Sequence, residues 1–227
     1  MTPVRVLVVD DEPAIRRLLR TVLGAEGFAV SEAENGAVAL AALAEGPDIV
    51  VLDLGLPDID GQDLIGRIRA TSSVPIVVLS AREDERGKVT ALDGGADDYV
   101  TKPFGAAELI ARLRAALRHR LQQAGTPAVF VAGDLSVDLV RRIVLRAGQP
   151  VHLTPREYDI LALMVGQAGR VLTHRHILGK LWGASGDVQQ LRVYVRQIRQ
   201  KLEADPERPR HIVTETGIGY RLVTDDA

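Results

Sequence analysis

The first half of the chain alternates short apolar runs with longer segments of helical periodicity. Five strands are predicted, at Val4–Val9, Ala29–Val30, Ile49–Leu52, Ile76–Leu79 and Tyr99–Val100. Five helices are predicted between and after them, at Pro13–Gly24, Gly36–Ala44, Gly61–Ala70, Glu83–Asp93 and Ala106–Leu121. Most of the strands are too apolar to leave one face in water, so we expect a five-stranded parallel sheet with helices on both faces.

The second half has a different pattern, in which short alternating segments precede three helices. The alternating segments are Leu135–Asp138, Arg141–Leu145 and Val151–Leu153, with a turn at Ala147–Pro150 between the last two. The helical segments are Pro155–Gln167, Arg175–Trp182 and Val188–Glu203. The chain ends in a hairpin pattern, His211–Thr214 and Tyr220–Val223, turned at Gly217–Gly219. We therefore predict an α+β domain with strands flanking three helices.

The boundary between the halves is predicted near 122–127, where small, polar and helix-breaking residues follow the last helix. We expect one domain at 1–121, a flexible linker at 122–128 and a second domain at 129–227. The halves also differ in charge, with 14 basic and 19 acidic residues up to Gln123 and 14 basic and 11 acidic residues after it. This difference indicates that the two domains bind different partners.

Composition narrows the class of protein. The 227 residues include 28 Lys and Arg, 30 Asp and Glu, and 46% apolar residues, as in a globular chain. The absence of cysteine excludes disulfides, thiolate metal sites and cysteine nucleophiles. No apolar run approaches the roughly 18 residues of a membrane helix, and the first run leads into acidic residues rather than a cleavage site. We expect a cytoplasmic protein without a membrane partner.

Polar residues stand where the predicted strands of the first half end. Asp10 and Asp11 follow the first strand, Asp53 follows the third, Ser80 follows the fourth, and Lys102 lies just after the fifth. The carboxyl ends of parallel strands share one edge, so we expect these side chains to converge. Each has a simpler explanation, as a helix cap or as a salt-bridge partner. Together, three carboxylates, a hydroxyl and an ammonium favour a site for a divalent cation and a phosphoryl group.

Four stretches of the first half resemble the motifs of a known family. They are Val8–Glu12, Leu52–Asp58, Leu79–Arg82 and Gly95–Phe104. Over about Val4 to Leu121 the chain resembles the receiver domain of two-component response regulators. The resemblance implies a flavodoxin-like five-stranded fold, a sensor histidine kinase as phosphoryl donor and a phosphoacceptor carboxylate at Asp53.

The same resemblance implies roles for the neighbouring residues. The implied Mg²⁺ ligands are Asp10 (through water), Asp11, Asp53 and Gly55 (through its carbonyl). The residues implied to bind the phosphoryl group or to switch with it are Ser80, Lys102 and Tyr99, with a cis peptide bond before Pro103. Gly55 and Arg82 occupy positions that tune hydrolysis in receivers. Because Gly55 has no side chain to aim a water and Arg82 can shield the site, we expect the phosphoryl group to last minutes or longer.

A charged set lies on the fourth helix, the fifth strand and the fifth helix. It consists of Lys88, Asp97, Asp98, Glu108 and Arg112. Such sets are often only solvated surface. The resemblance to receivers with winged-helix output domains, the OmpR/PhoB subfamily, implies intermolecular pairs of Lys88 with Glu108 and of Asp98 with Arg112, and a two-fold dimer on phosphorylation. The arginine expected opposite Asp97 is His119 here, so the third pair is weaker, pH-sensitive or made by a neighbour.

The last long helix carries a basic stripe. Arg192, Arg196 and Arg199 are spaced i, i+4, i+7, and four apolar residues fill the opposite face. From the helix alone, both a solvated surface and a DNA-binding surface are open. Its surroundings favour DNA, because four stretches resemble the winged helix-turn-helix output domain of the same subfamily. They are Leu153–Tyr158, Arg170–His174, Leu181–Gly183 and Gly217–Arg221.

That resemblance implies that Val188–Glu203 enters the major groove of promoter DNA. Arg196 and Arg199 are the first candidates to contact bases, since a guanidinium can bind guanine bidentately. The other DNA-contacting candidates are Arg192, Tyr194 and Gln197 at bases, Lys201 and Arg221 at phosphates, and Thr216, which replaces a basic residue of many relatives at the wing. The segment Gly183–Asp187 corresponds to a loop that touches RNA polymerase in relatives. Trp182 is expected in the core.

The stretches 205–221 and Asp53–Pro57 resemble the group of regulators that serve the Kdp potassium-uptake operon, which implies a potassium-transport promoter as target. Two other functions share features with this sequence. A DNA-binding regulator independent of phosphorylation would have a broken acidic set, and an aspartyl-phosphate phosphohydrolase would need a second acid and a substrate domain. The acidic set is intact and no substrate domain is evident, so we expect a phosphorylation-controlled transcription factor rather than an enzyme.

Overall fold

The computed structural model describes residues 3–81, 85–183 and 186–225. The chain divides into two compact units, Pro3–Arg120 and the part from Leu121 onward. Within the described ranges, every helix is too short or too polar to cross a membrane.

The first unit is an α/β sheet structure. Its strands are β1 (Arg5–Val9), β2 (Ala29–Ala33), β3 (Ile49–Leu52), β4 (Ile76–Ser80) and β5 (Asp98–Thr101). Its helices are α1 (Pro13–Ala25), α2 (Gly36–Ala42), α3 (Gly61–Thr71), α4 (Glu85–Asp93) and α5 (Ala106–Gln123). The strands are parallel and lie in the order β2-β1-β3-β4-β5. The predicted flavodoxin-like fold is therefore confirmed.

Two helices, α2 and α5, end two residues away from their predicted ends. α2 stops at Ala42, and a short 3₁₀ turn, Leu43–Glu45, follows until Gly46 ends it with φ 69°. α5 continues through the first residues of the predicted linker to Gln123, because glutamine favours helix and the left-handed residue comes only at Gly125, φ 67°. The start predicted for α4, Glu83, lies outside the described residues.

The central strands of the sheet carry the core of the first unit. Leu7, Val50, Leu52 and Val78 have no exposed surface, and helix residues such as Leu64 pack against them. Each buried side chain of this kind contributes roughly 1.5–3 kcal/mol of burial free energy. The buried middle strands thus hold the sheet together, and the polar residues that follow these strands in sequence lie at one edge of the sheet.

The described residues of the second unit form two antiparallel sheets and three helices. One sheet has the order β6 (Val129–Ala132), β7 (Leu135–Asp138), β8 (Ile143–Arg146), β9 (Gln149–Pro150). The other consists of β10 (Val171–Thr173), β11 (Ile212–Glu215) and β12 (Gly219–Leu222), with β12 in the middle. The helices are α6 (Pro155–Val165), α7 (His174–Leu181) and α8 (Val188–Leu202). The predicted α+β winged-helix arrangement is confirmed.

The strand prediction for this unit was incomplete. β6 and β10 were not predicted, and the strand predicted at Val151–Leu153 was wrong. Ala147 and Gly148 both have positive φ, 48° and 75°, as in a two-residue hairpin turn. Pairing with β8 therefore resumes at Gln149, two residues earlier than predicted, and residues 151–153 already lead into α6.

One face of α8 packs on the core of the second unit. Leu191, Ile198 and Leu202 are fully buried there, together with Ile177 of α7 and Leu161 of α6. This packing decides which side chains of α8 point into solvent.

Candidate functional site

The acidic residues of the first unit lie where β1 and β3, neighbours in space but not in sequence, end side by side. Asp10 follows β1, and its N–H donates to Ala33 O at 3.1 Å. Asp53 follows β3, and its N–H donates to Val9 O at 2.8 Å. In the strand order 2-1-3-4-5 the chain reverses its direction of winding between β1 and β3, which is where such sheets bind ligands.

Lys102 brings two of these carboxylates together. Its Nζ lies 2.8 Å from Asp10 Oδ2 and 2.9 Å from Asp53 Oδ2, and 3.8 Å from a Glu12 oxygen. Asp10 is 1% exposed and Asp53 is 8% exposed, so both acids are held in a largely dry environment. A buried carboxylate is costly without a partner, and the ammonium supplies one for each.

The third acid completes a cluster that fits a metal ion. Asp10, Asp11 and Asp53 each offer a carboxylate oxygen, and these oxygens lie within 4.8 Å of one another. Hard oxygen donors with a water-accessible member, here the exposed Asp11, suit Mg²⁺. A Cβ on Gly55 would lie 3.8 Å from Asp53 Oδ2, so glycine keeps this side of the Asp53 carboxylate open.

Burial and pairing shift the pKa values of the cluster. Burial raises the pKa of Asp10, and the hydrogen bonds from Lys102 and from the Glu12 N–H only partly oppose this effect. Burial alone would lower the pKa of Lys102, but its hydrogen bonds to Asp10 and Asp53 outweigh that effect and leave the pKa above its ordinary value. Lys102 therefore keeps its positive charge at neutral pH.

The remaining residues predicted for this site lie on β4 and β5. Ser80, 2% exposed, ends β4, and its carbonyl accepts a hydrogen bond from Lys102 N–H at 2.9 Å. Tyr99 of β5 is buried among core side chains. The Lys102–Pro103 peptide bond is cis, as the resemblance implied. Arg82, which was expected to shield the site, lies outside the described residues.

Asp58 binds the loop after β3 to the start of α2, a role that was not predicted from the sequence. Asp58 accepts hydrogen bonds from the N–H groups of Gly36 and Ala37 at 2.9 Å each, at the start of α2. These N–H groups hold the pKa of Asp58 below its ordinary value. A Cβ on Gly36 would meet Ile59 at 2.2 Å, so the loop can approach α2 only because residue 36 is glycine. The signal available in the sequence was an acid near Pro57, but nothing there showed which helix it would cap.

The charged set expected at a dimer interface is partly paired within the chain. Arg112 binds Asp98 at 3.1 Å and Glu108 at 2.9 Å, whereas Lys88 is exposed. Asp97 binds Arg69 at 2.8 Å and accepts a hydrogen bond from the N–H of Ile76. The structure therefore groups Asp98, Glu108 and Arg112 and gives Asp97 a separate partner on α3.

The solvent face of α8 carries three of the residues predicted to contact DNA. The Asp187 side chain caps the helix by accepting a hydrogen bond from Gln189 N–H. Arg192, Arg196 and Gln197 are exposed, and the apolar Val193 between them is 55% exposed. A basic face with a projecting apolar side chain matches the edges of bases in a major groove, where thymine presents a methyl group.

Two basic residues of α8 make contacts within the domain. The guanidinium of Arg199 donates hydrogen bonds to Ile212 O at 2.7 and 3.0 Å and to Thr214 Oγ1 at 2.7 Å. Lys201 pairs with the buried carboxylate of Glu157. Both side chains are half-buried, so they hold α8 against β11 and α6 rather than extending freely into solvent.

The other candidates have mixed positions. Tyr194 is half-buried, and its ring centroid lies 5.7 Å from that of Trp182. The guanidinium carbon of Arg156 lies over the Trp182 ring, 4.8 Å from its centroid. Trp182 packs against the core of the second unit, as expected, but it is only partly buried. Arg221 pairs with Glu215 at 2.8 Å.

The tip of the hairpin between β11 and β12 is exposed. Thr216 lies there, beside Ile218, which is 52% exposed. Gly217 has φ 75°, and a Cβ on Gly219 would lie 1.9 Å from Leu172 O. The two glycines thus serve different purposes, one making the turn and the other letting β12 approach β10.

Comparison with known proteins gives concordant matches for both units. Residues 6–114 match the family "Response regulator receiver domain" and residues 148–222 match "Transcriptional regulatory protein, C terminal". The KDP operon transcriptional regulatory protein KdpE of Escherichia coli is 49% identical over 96% of this chain and 98% of its own length. The transcriptional regulatory protein KdpE of Mycobacterium tuberculosis is 47% identical with the same coverage.

Among solved structures, a two-component response regulator from Clostridium difficile has a TM-score of 0.50 and 28% identity, covering 51% of this chain and 97% of its own. Two family matches, together with relatives of nearly equal length at this identity, leave no ambiguity of class. The chain belongs to the two-component response regulators that carry a winged-helix DNA-binding domain of the OmpR/PhoB type.

Proposed function

We propose that Asp53 accepts a phosphoryl group from a sensor histidine kinase. The observation that carries this proposal is the position of the Asp53 carboxylate, 2.9 Å from Lys102 Nζ and within a cluster of three acids. Asp10 already accepts hydrogen bonds from Lys102 and from Glu12 N–H, and Asp11 is exposed. Asp53 is the acid that lies at the end of the buried central strand β3, where its neighbours can act on it together.

The chain's own residues account for most of the transfer. An Asp53 oxygen attacks the phosphorus of the phosphohistidine, so that a P–O bond forms while the P–N bond breaks and the imidazole leaves with the electron pair. Negative charge accumulates beside the carboxylates of Asp10 and Asp11, and the Lys102 ammonium is placed to pair with the phosphoryl oxygens. The hydroxyl group of Ser80 would donate a hydrogen bond to another of these oxygens. We expect the acyl phosphate to last minutes or longer.

The donor set fits Mg²⁺, which Asp11, Asp53 and the Gly55 carbonyl would hold, with Asp10 bound through water. When bound, the cation supplies positive charge that offsets the incoming phosphoryl oxygens. The fold sets the relative positions of Asp10 and Asp53, because the two strands that these residues follow are paired in fixed register.

Incubation with acetyl phosphate and Mg²⁺, followed by intact mass measurement, tests the acceptor. The wild type should gain one phosphoryl group, and Asp53→Asn should gain none because an amide is a poor nucleophile. Asp60→Asn, an exposed acid in the following loop, is the matched control and should behave as the wild type. Equal labelling of Asp53→Asn and wild type would contradict the assignment.

We also propose that the phosphorylated protein dimerises through the face of Lys88, Asp98, Glu108 and Arg112 and binds double-stranded promoter DNA. The exposed Arg192, Arg196 and Gln197 of α8 support entry into the major groove. Thr216 at the hairpin tip would lie against the backbone or minor groove. We assign the receiver role to 1–121 and the DNA-binding role to 129–227, with 122–128 between them.

The target proposed is a potassium-transport promoter, on the strength of the two relatives named KdpE. The loop Gly183–Asp187, of which Ala184 and Ser185 lie outside the described residues, would contact RNA polymerase. A protein with these partners would work in the cytoplasm.

DNA binding can be tested on the fragment upstream of the host's potassium-transport genes. Arg196→Ala should weaken specific binding by roughly 10- to 100-fold, the loss expected for one arginine–guanine contact. Arg208→Ala, an exposed arginine in the loop after α8, should have little effect. Affinity should also fall steeply with salt, because phosphate contacts release counterions. Salt-independent binding would argue against a groove complex.

A further inference from the structure

Arg16 of α1 contacts the main chain of the segment that carries two acids of the cluster. Its Nη1 donates hydrogen bonds to the main-chain carbonyl oxygens of Asp10 at 2.7 Å and Asp11 at 2.9 Å. The side chain is 13% exposed. A single guanidinium nitrogen therefore bridges two consecutive carbonyl groups of the segment that carries both acids.

The other side of the guanidinium is anchored to β2 and the residue after it. Arg16 Nε lies 3.6 Å from Glu32 Oε2, and Nη2 lies 3.9 Å from Glu34 Oε2. Because the guanidinium is planar and its donors point in fixed directions, contacts at both ends fix its orientation. The two glutamates thus aim Nη1 at the loop.

The segment between β1 and α1 depends on such support. Glu12, the N-cap residue of α1, makes no side-chain hydrogen bond to the helix, and Pro13 follows it. Asp10 does accept a hydrogen bond from Glu12 N–H at 2.9 Å, but Asp11 is exposed. The direction in which the Asp11 side chain leaves the backbone is therefore set by the two peptide groups that flank it, and Arg16 holds the carbonyls of both.

We propose that Arg16 is a positioning residue for Mg²⁺, which fixes the main chain of Asp10 and Asp11 so that their carboxylates meet the cation without rearrangement. This inference rests on the proposed function, because it requires these acids to bind the metal. Arg16 acts through backbone carbonyls and touches no carboxylate of the cluster. Groups that orient metal ligands typically change metal affinity by about 10- to 100-fold.

The direct test is Mg²⁺ binding to the full-length protein by titration calorimetry. Arg16→Ala should bind Mg²⁺ about tenfold more weakly than the wild type. Arg16→Lys should fall between them, since one ammonium can reach a carbonyl or a glutamate but cannot span both ends as the guanidinium does. Arg20→Ala is the matched control, because Arg20 lies on the same helix and binds the same Glu32 at 2.9 Å without touching the loop. It should bind as the wild type does.

A second readout separates positioning from a general structural role. In phosphorylation by acetyl phosphate, the Mg²⁺ concentration for half-maximal rate should rise about tenfold in Arg16→Ala, while the rate at saturating Mg²⁺ stays that of the wild type. Wild-type affinity in Arg16→Ala, or a lower rate at saturation with unchanged half-saturation, would overturn the inference.

Two further outcomes have defined meanings. If circular dichroism shows that Arg16→Ala is unfolded, Arg16→Lys decides, and wild-type affinity in that variant overturns the inference. Asp11→Asn serves as the reference for the site itself. If the wild type binds no more Mg²⁺ than Asp11→Asn, the proposed function fails and this inference fails with it. If the wild type binds Mg²⁺ and Arg16→Ala binds it with the same affinity, only this inference is overturned.

Discussion

At the residue scale, hydrogen bonds distinguish the arginines of α8 that face solvent from the one that holds the domain together. Arg196 is exposed, whereas Arg199 bonds to the carbonyl of Ile212 and to Thr214 on β11. Its guanidinium also lies 5.8 Å from the ring centroid of Tyr220. The two residues are three apart in sequence and both belong to the predicted stripe, yet they have different surroundings.

Substituting these two arginines should therefore have opposite effects on stability and on DNA binding. Arg199→Ala should lower the free energy of unfolding by about 2 kcal/mol, because the hydrogen bonds to Ile212 and Thr214 are lost. Arg196→Ala should change it by less than about 0.5 kcal/mol, as exposed substitutions do, while weakening DNA binding. Urea unfolding and fluorescence anisotropy with labelled DNA measure the two effects. Equal destabilisation by both changes would mean that the contacts of Arg199 carry no net energy.

Contacts could be predicted from the sequence for side chains that follow neighbouring strands of the sheet. Asp10, Asp53 and Lys102 were expected together because parallel strands share one edge, and in the structure Lys102 Nζ lies within 3 Å of a carboxylate oxygen of each acid. Arg16 and Asp58 could not be found in this way. Each bonds to main-chain groups, Arg16 to carbonyls of the loop just before its own helix and Asp58 to N–H groups at the start of α2. Main-chain positions leave no trace in side-chain patterns.

At the element scale, the start of α6 depends on a buried acid. Thr154 and Glu157 form a capping box, in which Thr154 accepts from Glu157 N–H and Glu157 accepts from Thr154 N–H. Burial raises the pKa of Glu157, but its hydrogen bonds with Lys201 and Thr154 N–H outweigh burial and leave the pKa below its ordinary value near 4.5. The cap of α6 is thereby tied to the last turn of α8.

Replacing Lys201 should expose this dependence. Lys201→Met should lower the free energy of unfolding by about 2 kcal/mol at neutral pH, since it leaves the carboxylate of Glu157 buried without its ammonium partner. A folded-state pKa below the unfolded value gives stability that is present at neutral pH and lost as pH falls through 4.5 and below. The difference between variant and wild type should therefore shrink in acid.

Urea unfolding at neutral pH and near pH 4 measures this, with Lys180→Met as the control. Lys180 is exposed in the last turn of α7, so its replacement should matter little at either pH. A Lys201→Met protein as stable as the wild type would show that the pair contributes nothing.

Elements were predicted well where burial or helical periodicity was strong. All five helices and all five strands of the receiver domain were found, because buried parallel strands are nearly continuous apolar runs. β10 has three residues and β9 has two, too few to establish an alternating pattern. β9 was displaced because the sequence did not show that Ala147, a residue with a side chain, adopts positive φ.

At the scale of the whole molecule, the charged face of the receiver domain is the surface through which we propose that the phosphorylated protein dimerises. Arg112 holds Asp98 and Glu108 within the chain, and in a dimer it would have to share them with a second copy or exchange them for its partners. With beryllium fluoride and Mg²⁺ as an acyl-phosphate mimic, we expect a dimer in sedimentation velocity. Arg112→Ala should weaken the dimer by roughly tenfold or more, because a charge partner is removed.

Arg114→Ala is the matched control for that experiment. Arg114 lies on the same helix but binds Glu26 at 3.0 Å, away from the charged set. It should dimerise as the wild type does, and a monomeric wild type with the mimic bound would count against phosphorylation-driven dimerisation.

Only one tryptophan is present in the whole chain, Trp182, between the guanidinium of Arg156 and the ring of Tyr194 on α8. Its indole emission is therefore a spectroscopic signal from the output domain alone. Because indole fluorescence responds to a neighbouring cation and to aromatic packing, repacking of α8 on entering a groove should be visible without any attached dye. Stopped-flow optics could then time that step separately from phosphoryl transfer.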